Sequence, residues 1–440
     1  MKEQLFRKCR EHLAKLALEK GDIQLFPNGG KSRKSPFSLF VPGRIEVLGK
    51  HTDYCGGRSL ICAADRGFCL VARPRGDRRI RIADAAAGES REFDFLPAIS
   101  PPLGDWANYP MAVARRLASN FPGELRGADI AFASDLPPAA GMSSSSALVI
   151  ACFLALSKVN DLPSRPEYRQ NIHTPEELAG YIATHENGQT FGTLVGDKGV
   201  GTFGGSEDHT AILCCQTKSL SLYSYCPVRF ERRIAMPEGY TFAIGSSGVV
   251  AEKTGAALAK YNRASLLARE AVKAWNLATG RQDPHLAAAI AGRPDAYDRI
   301  LVAVREMNEP GFPWAQLVMR SEQFMLESTR IIPAACDALA AGDLVRFGHQ
   351  VELSQQLADR LLGNQIDQTA FLARAARQCG AVASSAFGAG FGGAVWAMVK
   401  CGAAEQFLAN WATLYHARFP DCAESSRFFQ TQPGPAAFAL

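Results

Sequence analysis

The residues of this chain that could do chemistry fall in four places. The first is Pro42-Gly43-Arg44-Ile45-Glu46-Val47-Leu48-Gly49-Lys50-His51-Thr52-Asp53-Tyr54, which crowds Arg, Lys, His, Asp and Tyr onto the end of a strand pattern. Such a density of donors and acceptors suits a polyol, with His51 and Asp53 each able to engage a sugar hydroxyl. A solvated loop is the commoner outcome for any one charged cluster. The second is Leu136-Pro137-Pro138-Ala139-Ala140-Gly141-Met142-Ser143-Ser144-Ser145-Ser146-Ala147, followed by the apolar run Leu148 to Leu156. A turn of small residues opening a helix offers free N–H groups, and with the helix dipole these favour a phosphate. A first-turn serine hydroxyl can also reach a phosphate-bound magnesium. Alone, the stretch reads as a serine-capped helix. The third place pairs Glu186, at the end of a helical segment, with Asp208, just after Gly204-Gly205-Ser206-Glu207. Glu186 is a candidate Mg²⁺ ligand, and Asp208 a candidate base for a hydroxyl proton. The fourth is the turn Gly388-Ala389-Gly390-Phe391-Gly392-Gly393. It is either a tight β connection or a place where backbone comes close to a ligand.

Three other patterns are decoys. Gly29-Gly30-Lys31-Ser32 suggests a P-loop, but position 25 is Leu where that loop needs its first glycine. Gly199, Gly201 and Gly204 form a Gly-x-Gly-x-x-Gly, as do Gly388, Gly390 and Gly393. Neither lies in a βαβ unit followed by an acidic residue, so neither marks a dinucleotide site.

The elements that must position these groups follow from the rest of the chain. It has 440 residues, 47% hydrophobic and 21% charged, enough for two ordinary domains. A net charge of +5 gives no nucleic-acid stripe and does not repel an anionic substrate. The twelve cysteines contain no CxxC pair, and the histidines supply no zinc spacing, which points to reduced, mostly buried thiols in a cytoplasmic protein. Met1 to Lys20 reads as an amphipathic helix and not a signal peptide. No stretch approaches the roughly 20 apolar residues that span a bilayer, and no repeat appears at solenoid periods.

Short β-rich runs occupy Ser59 to Phe95, and a helix begins near Trp106. Pro163 to Glu177 reads as a polar connection, Leu178 to Glu186 as helix, and Gly188 to Gly205 as a long loop. Phe230 to Ser247 is strand-like, and helices dominate Lys253 to Asn276 and Trp314 to Ala376. Pro284 to Pro313 reads as a loop with a short helix, and the chain then returns to β pattern at Ala381 to Ser385 and Ala394 to Val399. The order predicts an α+β protein with a β-rich domain over 1–235 and a helix-rich domain over 236–440.

Taken singly, the four places are ordinary; their order is not. Pro42 to Tyr54 reproduces Pro-Gly-Arg-x-x-x-x-Gly-x-His-Thr-Asp-Tyr, and the serine run, the Glu–Asp pair and the final glycine turn follow it. In this the chain resembles the GHMP small-molecule kinases, and among them the galactokinase-like sugar kinases. Trp106-Ala107-Asn108-Tyr109, Gly245-Ser246-Ser247, Tyr261-Asn262, Glu327 to Arg330 and Ala341-Gly342-Asp343 extend the resemblance over about residues 37 to 400. It implies a two-domain fold with the active site in the cleft, and phosphoryl transfer from ATP with Mg²⁺ to the C1 hydroxyl of a monosaccharide. By the same resemblance Arg44 sits beside the transferred phosphoryl group, and Asp208 is the base. Lys50, His51, Asp53, Gly205 and Tyr261 line the sugar. Gly141, Ser143, Ser144 and Ser145 hold the ATP phosphates, with Ser145 and Glu186 near the metal. The partners implied are the sugar and ATP, with no nucleic acid and no membrane, in a monomer or weak homodimer.

The chain departs from that family at several points. Galactokinases carry a glutamate at the position of Lys50, facing the sugar near C6, and a lysine there suits a C6 carboxylate. Galacturonate therefore stands beside galactose as a candidate acceptor. Cys55 replaces a common asparagine, Ala139 and Ala140 stand where glycine is frequent, and the stretch from Glu186 to Asp208 is long. Two further readings are a catalytically silent sugar sensor on the same fold and a kinase for another small alcohol. The Ser run, Arg44 and Asp208 speak against the first, and the His-Thr-Asp-Tyr tetrad against the second.

Overall fold

The structure, a computed structural model, describes residues 2–19, 35–101, 104–137, 141–250, 256–307 and 309–440. Gly29 to Ser32 and Pro138 to Ala140 lie outside them.

The N-terminal half is built on strands β1 (Phe37–Leu48), β2 (Arg58–Pro74), β3 (Arg79–Asp84), β4 (Glu89–Asp94), β5 (Ala128–Ser134), β6 (Ser219–Ser224) and β7 (Arg229–Ala235). Their order is β1-β2-β5-β3-β4, with β6 on the first half of β2 and β7 outside β6. All pairs are antiparallel except β3 with β5. Nearly every residue of β1 is buried on both faces, so its polar positions, Arg44 and Glu46, sit inside the protein. One face of the sheet is covered by helix α1 (Lys2–Glu19) through Phe6, Cys9 and Leu13. The other takes α2 (Asn108–Asn120) and α3 (Ser144–Asn160). Helix α3 is buried almost all round, as its apolar sequence requires.

The stretch expected as a polar connection holds helix α4 (Pro166–Asn171) and the start of α5 (Pro175–Asn187). Thr174 and Glu177 form a capping box there, a local signal that outweighs the polarity of the segment. Residues 188–206 do form the expected long loop, and α6 (Glu207–Cys214) follows.

The C-terminal half begins at β8 (Tyr240–Ser246), continues with α7 (Ala256–Thr279), α8 (Leu286–Ala291), α9 (Ala296–Glu306), α10 (Trp314–Leu326), α11 (Ile332–Ala340), α12 (Leu344–Leu357) and α13 (Asp367–Gln378), and ends with β9 (Ala383–Phe387), β10 (Ala394–Lys400), α14 (Ala404–Arg418) and β11 (Arg427–Thr431). Its sheet runs β11-β8-β10-β9, all antiparallel. The region expected as a loop with one short helix holds two, since α9 is amphipathic and buries Ile300, Ala303 and Val304. Where the two sheets change over, Ala235 and Tyr240 flank the 235/236 boundary. The chain nevertheless ends back in the first sheet, with β12 (Phe438–Ala439) on β1. A single core cluster joins the halves, from Val41 and Val47 through Ile332 and Phe347 to Trp396. Among the described residues, no helix is long and apolar enough to cross a membrane.

Candidate active site

One cavity gathers residues from both halves. Strand β1 contributes Arg44 and Glu46, two apart and so on the same face. The turn after it contributes His51, Asp53 and Tyr54, the start of α3 gives Ser146, and the end of α5 gives Glu186. Gly204, Gly205, Glu207, Asp208 and His209 come from the loop and first turn of α6. Tyr261 of α7 and Gly388-Ala389, between β9 and β10, close it from the C-terminal half.

At its centre Arg44 Nε donates to Asp208 Oδ1 at 2.7 Å. A second guanidinium nitrogen of Arg44 donates to the carbonyl of Gly141. Burial opposes the Arg44 charge, but Asp208, Glu46 and Glu207 outweigh it and hold its pKa above the ordinary arginine value. Asp208 lies in the first turn of α6, where the helix dipole favours a carboxylate. Ser146 Oγ also donates to Asp208, at 3.3 Å.

Above this pair the Gly141 turn and the 388–393 turn meet. A Cβ on Gly388 would fall 3.0 Å from the Gly141 carbonyl and 3.4 Å from Arg44, so this approach needs glycine. Gly141 and Ser143 both have left-handed backbone, φ 75° and 58°. They turn the chain into α3 with Ser144 and Ser145 half-buried at its first turn, where N–H groups have no intrahelical acceptor. Ser146, and not Ser145, is the serine on the cavity wall.

The sugar-side residues come together as a turn braced from behind. Asp53 accepts from the N–H groups of Tyr54 and Glu207, at 2.9 and 3.1 Å. His51 lies against Tyr54 Oη (2.8 Å) and the Ala389 carbonyl (3.1 Å), with the Tyr261 ring 5.5 Å away. A Cβ on Gly205 would fall 2.5 Å from Asp53, and one on Gly204 would fall 2.6 Å from Tyr261 Oη. Both positions thus demand glycine for reasons of space. Arg320 of α10, itself buried, donates to the His51 carbonyl and to Cys55 Sγ and fixes the turn from outside the cavity.

Glu186 reaches the same cavity although far from Asp208 in sequence. The long segment after it folds back: Val200 N–H donates to the Glu186 carbonyl at 2.9 Å, and Arg115 clamps Asp197 at 2.7 Å. The Glu186 carboxylate lies 3.3 Å from His209 Nε2. Among the described residues no cluster of three or more His, Cys, Asp and Glu makes a ready metal site. One carboxylate on the cavity wall is nevertheless a donor set that suits Mg²⁺, which takes most of its ligands from phosphate and water.

Lys50 corrects the sequence reading. The expectation placed its ammonium at the sugar's C6 corner. Instead the side chain is only 1% exposed, is absent from the cavity wall, and donates to Ser385 Oγ at 2.7 Å. Ser385 passes the bond on to Gln355 Oε1, and the Lys50 carbonyl accepts from Gln323. Its field is felt by two buried carboxyls, Glu46 and Glu327. The physical reason is compensation: a buried ammonium is drawn to buried acids, here Glu327 away from the cavity wall and Glu46 on it. The observation behind an acidic acceptor is thereby removed.

Sequence reasoning gave no individual role to Glu46, Glu207, Ser146, His209 or Arg320. The signal for Glu46 was its spacing from Arg44 on one strand, and for Glu207 its adjacency to Asp208. Arg320 carried none. Burial pushes the Glu46 carboxyl up to about 7, against the pull of Lys50 and Arg44. Burial and the nearby Glu46 and Asp53 push Glu207 well above the ordinary carboxylate range.

Comparison with known proteins gives matches over most of the chain. Residues 30–74 match the galactokinase galactose-binding signature, 108–190 the GHMP kinases N terminal domain, and 335–417 the GHMP kinases C terminal model. The chain is 30% identical over 387 residues to the galactokinase of Chloroflexus aggregans, covering 86% of this chain and 87% of that one. It is 28% identical over 384 residues to the galactokinase of Chloroflexus aurantiacus, covering 86% and 87%. Among solved structures, Lactococcus lactis galactokinase complexed with galactose superposes with a TM-score of 0.76 at 21% identity, covering 97% of this chain and 100% of that one. Mevalonate kinase from L. major gives 0.54 at 17% identity, covering 92% and 98%.

Proposed function

Because the chain belongs to the galactokinase-like GHMP kinases, and is therefore a sugar kinase, we propose that it transfers the γ-phosphoryl group of ATP to the C1 hydroxyl of galactose or a close neutral relative. The observation that carries the reading is the Arg44–Asp208 pair, 2.7 Å apart, set between the sugar-side turn and the start of α3. Asp208 accepts the hydroxyl proton as the oxygen attacks, and Arg44 holds that carboxylate in place. The Arg44 guanidinium also faces negative charge that builds on the transferring phosphoryl group. His51, Asp53 and Tyr261 orient the sugar, and the α3 first turn, with Gly141 to Ser145, takes the ATP phosphates. Glu186 and Ser145, with the ATP phosphates, are the groups that would hold Mg²⁺, which would supply neutralisation of phosphate charge.

A neutral acceptor is supported by what rings the cavity. Among the described residues its wall carries Glu46, Asp53, Glu186, Glu207 and Asp208 against one permanent cation, Arg44, and Lys50 is engaged elsewhere. A hexuronic acid would bring one more anion into that ring. Purified protein, ATP and a sugar panel, read by ADP release, test the proposal. Galactose is expected to be turned over and galacturonate not. Asp208→Asn should lose turnover by a factor of about 10² or more while still binding ATP. An active Asp208→Asn enzyme, or a clear preference for galacturonate, overturns it.

A further inference from the structure

Two carboxyls in the cavity wall are not used by that chemistry. Glu46 and Glu207 are 4% and 5% exposed and come from different elements, β1 and the first residue of α6. Glu46 Oε2 accepts from the Gly388 N–H at 3.3 Å, but its other oxygen, Oε1, is buried with no donor. Glu207 Oε2 accepts from Ser59 Oγ at 2.7 Å, and its Oε1 lies 3.9 Å from Arg44 Nε. The Arg44 Nε–H itself is taken by Asp208. A donorless buried carboxylate oxygen beside a second carboxyl is a mismatch that one proton removes, because a protonated carboxyl is a donor.

We propose that Glu46 and Glu207 share one proton and act together as a positioning pair that carries one negative charge instead of two, which leaves Arg44 committed to Asp208. This rests on the sugar-kinase reading for its kinetic consequence only. With the proton present, the pair adds a single negative charge to that of Asp208 around Arg44. Without it, three carboxylates compete for a single guanidinium, and the base loses its fixed orientation. The groups facing the pair are Arg44 and Lys50 from β1 and the turn after it, Asp53 from that turn, and Asp208 from α6. Tyr225, beyond β6, bonds Ser59 and also faces Glu207. Two cations against so many acids leave no spare positive charge to ionise both members. Burial, which pushes both carboxyls up, acts in the same direction.

The test combines a spectroscopic reading with a kinetic one. Infrared difference spectra of the whole protein at neutral pH should show a protonated-carboxyl C=O stretch that is lost in both Glu46→Gln and Glu207→Gln. Glu327, also buried and also pushed up, leaves a band that neither change removes. In wild type, kcat should fall about tenfold per pH unit once the shared proton leaves, on the alkaline side of neutrality. The KM for ATP should stay within about twofold. Either amide variant should lose or displace that alkaline limb, since an amide cannot ionise. No wild-type band at neutral pH overturns the proposal, as does an alkaline limb unchanged in both variants. The band is read on the unmodified protein without turnover. Misfolded variants therefore do not hide the answer, and failure of the pair is distinct from failure of sugar phosphorylation.

Discussion

Lys50→Met is the substitution that separates a lysine built into the frame from one that meets substrate. Methionine has nearly the length of lysine and fills irregular space without charge, so the change removes the ammonium and little volume. What the ammonium leaves behind is specific. Glu327 keeps its hydrogen bonds from the Gly49 N–H (3.0 Å) and Ser354 (2.8 Å) but loses its counter-charge. Glu46 keeps Arg44 alone, and the Ser385 hydroxyl loses its donor. Taking one partner from a buried charge cluster costs about 3–5 kcal/mol, mostly from the uncompensated charge that remains. Total stabilities run to about 5–15 kcal/mol, so thermal unfolding followed by circular dichroism should show a midpoint lowered on the order of 10 °C. Lys50→Met with Glu327→Gln should be less destabilised than the two single changes add up to, because charge leaves both sides at once. Turnover of galactose and galacturonate, measured on the same preparations below the transition, should fall together if at all. The reasoning is refuted if Lys50→Met melts within about 1 °C of wild type while losing selectively the turnover of an acidic sugar.

Two further outcomes follow from the packing. In Gly205→Ala the new methyl would lie 2.5 Å from Asp53 Oδ2 and 2.7 Å from the Tyr54 nitrogen. The sugar-side turn must shift at roughly 1–3 kcal/mol, and kcat/KM for the sugar should drop about tenfold or more with ATP affinity retained; wild-type kinetics would show the contact to be relieved elsewhere. His185 is fully buried, gives its Nδ1 proton to the Tyr181 and Ile182 carbonyls, and has no partner at Nε2. Burial, then repulsion from Arg116, lowers its pKa from 6.5 to about 3. The unfolded chain therefore binds the extra proton first, and stability falls as pH drops from about 6.5 towards 3, by at most about 5 kcal/mol. His185→Phe should flatten that slope in urea titrations at about pH 7 and about pH 4.5, and an unchanged slope refutes the assignment.

What could be read from the sequence was whatever is local along the chain. Arg44, His51 and Asp53 lie on one strand and the turn that ends it, and the serine run is a turn with its helix. Asp208 opens α6 directly after the glycines that make room for Asp53 and Tyr261. Each is a short-range pattern, and Arg44, His51, Asp53, Ser146 and Asp208 line one cavity. Lys50 sits in the middle of such a pattern and was still misplaced. Its direction is set by Glu327 and Ser385, hundreds of residues away, and a periodic pattern holds no information about them. Arg320 escaped notice for the same reason: in α10 it looks like any helical arginine, and only folding puts it against the His51 carbonyl. The two helices between Pro284 and Pro313 were hidden by scattered Pro and Gly, although the apolar spacing of Ile300, Ala303 and Val304 was available. The return of Phe438 and Ala439 to β1 has no sequence signal at all.

Position 50 cannot be understood by itself. The buried lysine there acts on Glu327 and Glu46, and both carboxyls feel its field. Glu46 in turn cannot be a plain anion, because Glu207 arrives beside it on α6, and Arg44 is already bound to Asp208. The four residues 46, 50, 207 and 327 therefore form one electrostatic unit, whose excess of negative charge one shared proton reduces. Reading the lysine as an isolated change of specificity treats as local a property that belongs to the whole unit. The same logic bears on transplanting residues between relatives. Placing a glutamate at position 50 of this chain would add a further acid to a buried cluster and remove its cation. The result should be a folding defect, whatever sugar the site accepts.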